Sequence, residues 1–153
     1  MTNDAPARTG AALDRTRTPS ESAPPAWSEL GYARVVRWLL EARPAEGCAV
    51  GLGADGRVKV WGRIRNVDPT PDRFEMDPTG LARALERGRR AGLEPLVFLH
   101  SHLGGTPEPS ARDRAGLRQG GVLLWPRTWV LIQVIFASGV GPRRLAPPGG
   151  GHG

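Results

Sequence analysis

Cysteine occurs once in this chain, at Cys48. A single thiol excludes an intrachain disulfide and any zinc site built from several cysteines. Lysine is as scarce: Lys59 is the one lysine among 21 basic residues, and the other 20 are arginine. That skew reads as GC-rich coding more than as selection for charge. No apolar run approaches the ~20 residues of a membrane span. The strongest, Trp129 to Ala137, is too short. The first 26 residues lack the apolar segment of a secretory signal, and Asp4, Asp14 and Glu21 offset Arg8, Arg15 and Arg17, whereas transit peptides avoid acids. A cytoplasmic protein with no membrane contact is expected. The formal net charge of +6 falls wholly after this neutral leader. Its arginines are dispersed rather than gathered in one stripe, which favours a solvated surface over a nucleic-acid groove.

Residues 1–26 are rich in Ala, Pro, Thr and Ser without apolar periodicity and read as a disordered leader. Residues 146–153 are mostly Pro and Gly and read as a flexible tail. The folded domain is expected at 27–145. Trp27 to Ala42 has helical spacing, with Leu30, Val35, Trp38 and Leu39 as its apolar side, Ser28 as N-cap and Arg43-Pro44 as its stop. Cys48 to Gly53 suits a buried strand. Ala54-Asp55-Gly56 is a turn into a second strand from Arg57, with a bulge expected near Gly62. Asp77-Pro78 opens another helix whose buried face is Leu81, Ala84, Leu85 and Gly88. Pro95 to Leu99 is a short strand. Ser110 starts a third helix expected to reach about Gln119, followed by strands at Val122 to Trp125 and Trp129 to Ala137. This order predicts an α/β domain with a mixed sheet.

Two of the three histidines lie one residue apart, at His100 and His102, where the strand ends. Side chains two apart on a strand share a face, so two imidazoles can grip one metal ion. Asp113 follows at short range as a third ligand, leaving a position open for water, as a catalytic zinc site requires. Each residue also has a plainer reading. Strand histidines can serve hydrogen bonds alone, and Ser110-x-x-Asp113 is a capping box in its own right. Glu46, between Pro44 and the buried strand, is the candidate general base; a solvated loop glutamate is the ordinary alternative.

These segments together are similar to the JAMM (MPN+) metalloprotease family. Arg43-Pro44-Ala45-Glu46-Gly47-Cys48 resembles the opening Pro-x-Glu-x-Cys-Gly of that family. Phe74-Glu75-Met76-Asp77-Pro78 is similar to its Phe-x-Ile-Asp-Pro stretch. His100-x-His102, seven residues, then Ser110-x-x-Asp113 matches its signature. Two departures, Leu103 in place of a proline and Cys48-Ala49-Val50 in place of Cys-Gly-Leu, remove no reacting group. The resemblance implies an MPN (JAB) fold, a mixed sheet flanked by helices, related to the cytidine-deaminase-like folds. It implies one Zn2+ held by His100, His102 and Asp113, with Glu46 activating water and Ser110 stabilising the oxyanion. Ser101, expected to face away, is assigned no chemistry.

The implied function is a peptidase or isopeptidase that cuts after the C-terminal Gly-Gly of a ubiquitin-like or sulfur-carrier protein, working beside E1- or E2-like proteins. The interval from Asp113 to Trp129 has no Cys or His for a second zinc, which resembles the compact prokaryotic, here bacterial, form. The strand edge at Arg57 to Val67 and the Phe74 loop are the expected contacts for the substrate tail. Two alternatives stand beside this reading: a non-catalytic MPN scaffold, and a RadC-like protein of DNA metabolism.

Overall fold

A computed structural model describes residues 23–68, 70–119 and 122–148. Most of the expected leader and tail therefore lies outside the described residues. Among the described residues, three helices and seven strands follow in order: α1 (Glu29–Ala42), β1 (Cys48–Ala54), β2 (Arg57–Ile64), α2 (Pro78–Arg90), β3 (Glu94–Leu103), α3 (Ala111–Gly116), β4 (Arg118–Gln119), β5 (Val122–Leu123), β6 (Trp129–Phe136) and β7 (Gly139–Ala146). Five strands form one mixed sheet in the order β2-β1-β3-β6-β7, with only β3 and β6 parallel; β4 and β5 pair separately. No helix among the described residues is long and apolar enough to cross a membrane.

The alternation of side chains along the strands divides the core between the two sheet faces. On one face α1 lays Tyr32, Val35 and Leu39 against Ala49, Val97, Leu99, Leu131 and Ile135. On the other, α2 covers Cys48, Val50, Leu52, Ile64 and Phe98 through Ala84, with Leu81 and Leu85 alongside. Full burial of residues such as Val35 and Leu39 is worth about 1.5–3 kcal/mol each. His100 and His102 continue the series of Phe98, so they belong to the α2 face.

Both long helices start as the sequence indicates. Ser28 Oγ accepts from the Gly31 N–H at 3.3 Å, and Asp77 accepts from the Thr79 N–H at 3.3 Å ahead of Pro78. Leu30 departs from expectation: it is 77 % exposed. At 100° per residue it lies across the helix from Val35, and Tyr32 takes its place on the buried side. The Asp55-Gly56 turn has positive φ at both residues (55° and 72°), the conformation of a tight two-residue hairpin. The bulge lies at Lys59 rather than Gly62, since Leu52 pairs with Val60 and Gly53 with Val58.

Further expectations fail near the C-terminus. Helix α3 stops at Gly116 instead of reaching Gln119, because it buries no side chain and so gains little from packing. The chain turns instead into the β4–β5 ladder, closed by a bond from the Leu124 N–H to the Leu117 carbonyl at 2.8 Å. The strand expected over Val122 to Trp125 is limited to two residues. Strand β7 was not expected at all, as Gly139, Gly141 and Pro142 argue against a strand. It is an edge strand, where proline is tolerated. The side chain of buried Gln133 donates to the carbonyls of Gly141 (2.8 Å) and Pro142 (3.3 Å), filling the gap where the β6–β7 register shifts. Ala146, the first residue of the expected tail, closes β7 and is 1 % exposed.

Gly53 gives a sharp test of the hairpin geometry. A Cβ there would stand 1.9 Å from the Arg57 carbonyl oxygen, a backbone atom that cannot swing aside. At Gly116 a Cβ meets nothing within 4 Å. Gly53→Ala is expected to destabilise the protein by about 3 kcal/mol or more, and Gly116→Ala to be neutral or slightly stabilising. Urea unfolding of both variants checks this, and equal midpoints would refute it.

Candidate metal centre

Strand β1 pairs with β3 in antiparallel register, with Cys48 opposite His100. The pairing runs on past the end of β1. Ser101 N–H donates to the Gly47 carbonyl at 2.9 Å, and Gly47 N–H donates to Ser101 Oγ at 2.8 Å. One more step brings Glu46 opposite His102 and onto its face. On the other side, β2 pairs Ile64 with Cys48, and the same count brings Asn66 beside Glu46. Asn66 Nδ2 donates to the Glu46 carbonyl at 2.7 Å. Glu46 is thus clamped from both neighbouring strands, and it is 5 % exposed.

His100, His102 and Asp113 converge. His100 Nε2 lies 3.2 Å from His102 Nε2 and 3.2 Å from Asp113 Oδ2, and His102 Nε2 lies 3.1 Å from the same oxygen. Three donors on a tetrahedral zinc, with bonds of 2.0–2.1 Å, stand about 3.3 Å apart. The triangle therefore matches one face of such a tetrahedron. His102 Nδ1 bonds the Thr106 carbonyl at 2.9 Å. That bond needs the proton on Nδ1 and leaves the Nε2 lone pair facing the centre. The Phe74 ring stacks on His100 with centroids 4.1 Å apart and fixes its plane.

Asp113 does two jobs with one oxygen. Its Oδ2 accepts from the Ser110 N–H at 2.9 Å while facing both histidines, and its own N–H donates to Ser110 Oγ at 3.0 Å. The capping box and the ligand set coexist. Ser110 Oγ accepts in the box, so its own proton is not used there.

The charges fit these roles. Burial disfavours ionised Asp113, but hydrogen bonds from His100 and His102 outweigh it and hold the carboxyl well below the usual range. Burial pushes His100 below its ordinary value, which favours the neutral ligand form. For His102 burial acts the same way, but Asp113, the Thr106 carbonyl and Glu46 prevail and raise it. Burial pushes Glu46 up to about 7, opposed by His102 and aided by Asp113, Asp72 and Asp68. Cys48, its buried thiol bonded to the Ile64 carbonyl at 3.3 Å, is pushed up by burial to about 12 and is inert at neutral pH.

All five residues picked out by the sequence, Glu46, His100, His102, Ser110 and Asp113, lie in this one region. Four supports were missed: Ser101, Asn66, Phe74 as a ring on His100, and Thr106. Asn66 organises the loop after β2, accepting from the Asp68 and Glu75 N–H groups at 2.9 and 3.0 Å. No local signal marks it, since its value comes from register with Glu46. The expected substrate edge is also partly taken. Ala26 pairs at Arg57 and Val58, and Glu75 to Asp77 pair with Arg65 to Val67, so on the edge of β2 away from β1 only the middle lacks a backbone partner among the described residues.

A family model described as prokaryotic homologs of the JAB domain matches residues 29–144. A desampylase from Pyrococcus furiosus is 32 % identical over 101 residues, covering 66 % of this chain and 69 % of that protein. Among solved structures, a protein from Desulfitobacterium hafniense superposes with a TM-score of 0.60 at 23 % identity, covering 80 % of this chain and 81 % of that one. A protein from Salinibacter ruber does so at 0.54 and 22 %, covering 78 % and 79 %. At these identities the two structures speak for the fold.

The geometry makes two predictions. A zinc ion held by these three groups would have to displace the proton that His102 holds more tightly than usual, so affinity should fall as pH drops through the imidazole range. Chelator competition across that range measures it, and a flat profile would count against the ligand set. Ser101→Ala leaves the Gly47 N–H buried without an acceptor, at a cost of about 1–3 kcal/mol. Ser101→Thr should recover most of that loss in thermal unfolding. Full stability of the alanine variant would show that the clamp does not bear on Glu46.

Proposed function

Because the chain belongs to the prokaryotic JAB-domain family, we propose that it is a zinc-dependent peptidase or isopeptidase acting on a ubiquitin-like or sulfur-carrier protein. It cuts after a C-terminal Gly-Gly, either trimming an extension or releasing a conjugate made by E1- or E2-like proteins. The observation that carries this reading is the placement of Glu46. A scaffold has no use for a carboxyl held at 5 % exposure across from a histidine pair. A hydrolase needs one there. The resemblance to a desampylase supports the isopeptidase class.

The residues divide the work. His100, His102 and Asp113 would hold the zinc, one ion in all. When bound, it supplies Lewis acidity, lowering the pKa of a water towards ~7 and polarising the scissile carbonyl. Glu46 takes a proton from the attacking water and returns it to the departing amine as the C–N bond breaks. A carboxyl raised to about 7 by burial suits both halves of that shuttle. With a cation held by the three ligands, Glu46 would ionise more readily at neutral pH. The Ser110 hydroxyl donates to the oxyanion that forms on the carbonyl oxygen. We assign this activity to a domain spanning residues 27–145.

The substrate follows from the shape of the approach. The Phe74 ring lies against His100 and the Thr106 carbonyl against His102. A glycine-ended tail has no side chains to obstruct its approach between them.

Glu46→Gln removes the proton acceptor but not the ligands. Cleavage of a Gly-Gly-extended ubiquitin-like protein should fall by about 10²–10⁴-fold, while zinc content by atomic absorption stays at one per chain. Undiminished cleavage by this variant would remove Glu46 from the reaction. A zinc-loaded wild-type protein that cuts no such tail would remove the peptidase reading.

A further inference from the structure

Helix α2 carries four arginines and one glutamate. Glu86 is shared by Arg89, at 3.0 and 2.8 Å, and Arg90, at 3.0 Å. Arg83 and Arg87 are exposed and have no acidic partner among the described residues. Arginines in a last helical turn are accounted for by the helix dipole, which covers Arg87, Arg89 and Arg90. Arg83 sits too far from the C-terminus for that. With Thr79, Ala82, Arg87 and Arg90 it lines a shallow surface cleft of about 590 Å³.

The position of this row matters. The chain enters α2 directly from Phe74, whose ring lies on His100, so the first turn of α2 adjoins the metal centre. The helix then runs back antiparallel to β3, and Arg83, Arg87 and Arg90 step away from the site over about 10 Å. A globular body resting on this row would have its end at the metal centre within reach of a short extended tail, at ~3.3 Å per residue.

We propose that the α2 arginine face docks an acidic surface on the folded body of the substrate, and that the tail of that body then enters the metal centre. The proposal rests on the peptidase reading for the identity of the substrate, and adds the face that holds it. Steering by such a face raises the encounter rate and selects against basic proteins. A nucleic acid fits less well, because the row is short and Glu86 lies within it.

Binding can be read without cleavage by using the zinc-loaded Glu46→Gln protein. The probe is an acidic ubiquitin-like domain ending in Gly-Gly, compared with the same domain after its surface Asp and Glu are changed to Asn and Gln. Calorimetric titration should show Arg83→Glu with Arg87→Glu weakening the acidic domain by about tenfold or more, and by less at high salt. Arg34→Glu with Arg37→Glu, on the exposed side of α1, should leave affinity unchanged. The neutralised domain should bind the parent protein weakly. Equal binding by the α2 variant, equal binding of the neutralised domain, or no binding of the acidic domain would each overturn the proposal. So would a short DNA duplex that displaces the acidic domain from α2. Failure of the peptidase reading appears separately, as absence of cleavage by the wild-type protein while the α2-dependent binding persists.

Discussion

The antiparallel register between β1 and β3 sets Glu46 against the two histidines. Cys48 stands opposite His100, so Gly47 stands opposite Ser101 and Glu46 opposite His102. A strand can slip only by whole residues, and a slip of one would turn every side chain to the other face. Here such a slip of β3 would turn the histidines beneath α1, away from Glu46, and take Val97 and Leu99 off the α1 face. The apolar packing of α1 therefore fixes the chemistry on the opposite face. The Ser101–Gly47 pair of hydrogen bonds locks the same register at the end where apolar packing runs out.

The site concentrates cost in a small volume. Glu46, His100 and the partly buried Asp113 are ionisable groups withdrawn from water. Removing a charge from water is expensive unless partners replace the solvent. Asp113 has such partners, in two histidines and the Ser110 N–H. Glu46 has its carbonyl held by Asn66, but burial pushes its carboxyl up and the nearby Asp113, Asp72 and Asp68 add to that, so it holds its proton more tightly. A cation seated among the three ligands would relieve this imbalance.

Most of the site was legible because its residues are of rare type at fixed spacing. Two histidines on one strand face, a carboxylate at a helix start and a glutamate before a buried strand can be read without knowing the fold. The supports could not be read that way. Ser101 points to the face opposite the histidines, and strand alternation alone gives it nothing to do. Its importance comes from the partner across the ladder, which local sequence does not reveal. Asn66 depends on two registers at once. The elements show the same division. Helices α1 and α2, with caps and apolar stripes, were legible. Strand β7 was not, because Gly141 and Pro142 obey a constraint set by the side chain of Gln133 on the neighbouring strand.

The capping box at Ser110 and Asp113 bears on how such a site can be preorganised. Considered alone, the motif needs no metal to explain it. A cap, however, would be satisfied by a carboxylate pointing anywhere that lets it reach the Ser110 N–H. This one reaches that N–H with the same oxygen that lies 3.1 and 3.2 Å from the two imidazoles. Helix α3 buries no side chain and has six residues, so packing contributes little to holding it. What positions it is the cap itself, together with the short connection from His102. The start of the helix and the approach of Asp113 to the two imidazoles are therefore fixed by one set of hydrogen bonds. A cation that pulled Asp113 inward would tighten the start of α3 rather than break it, and so would brace the helix that packing holds least.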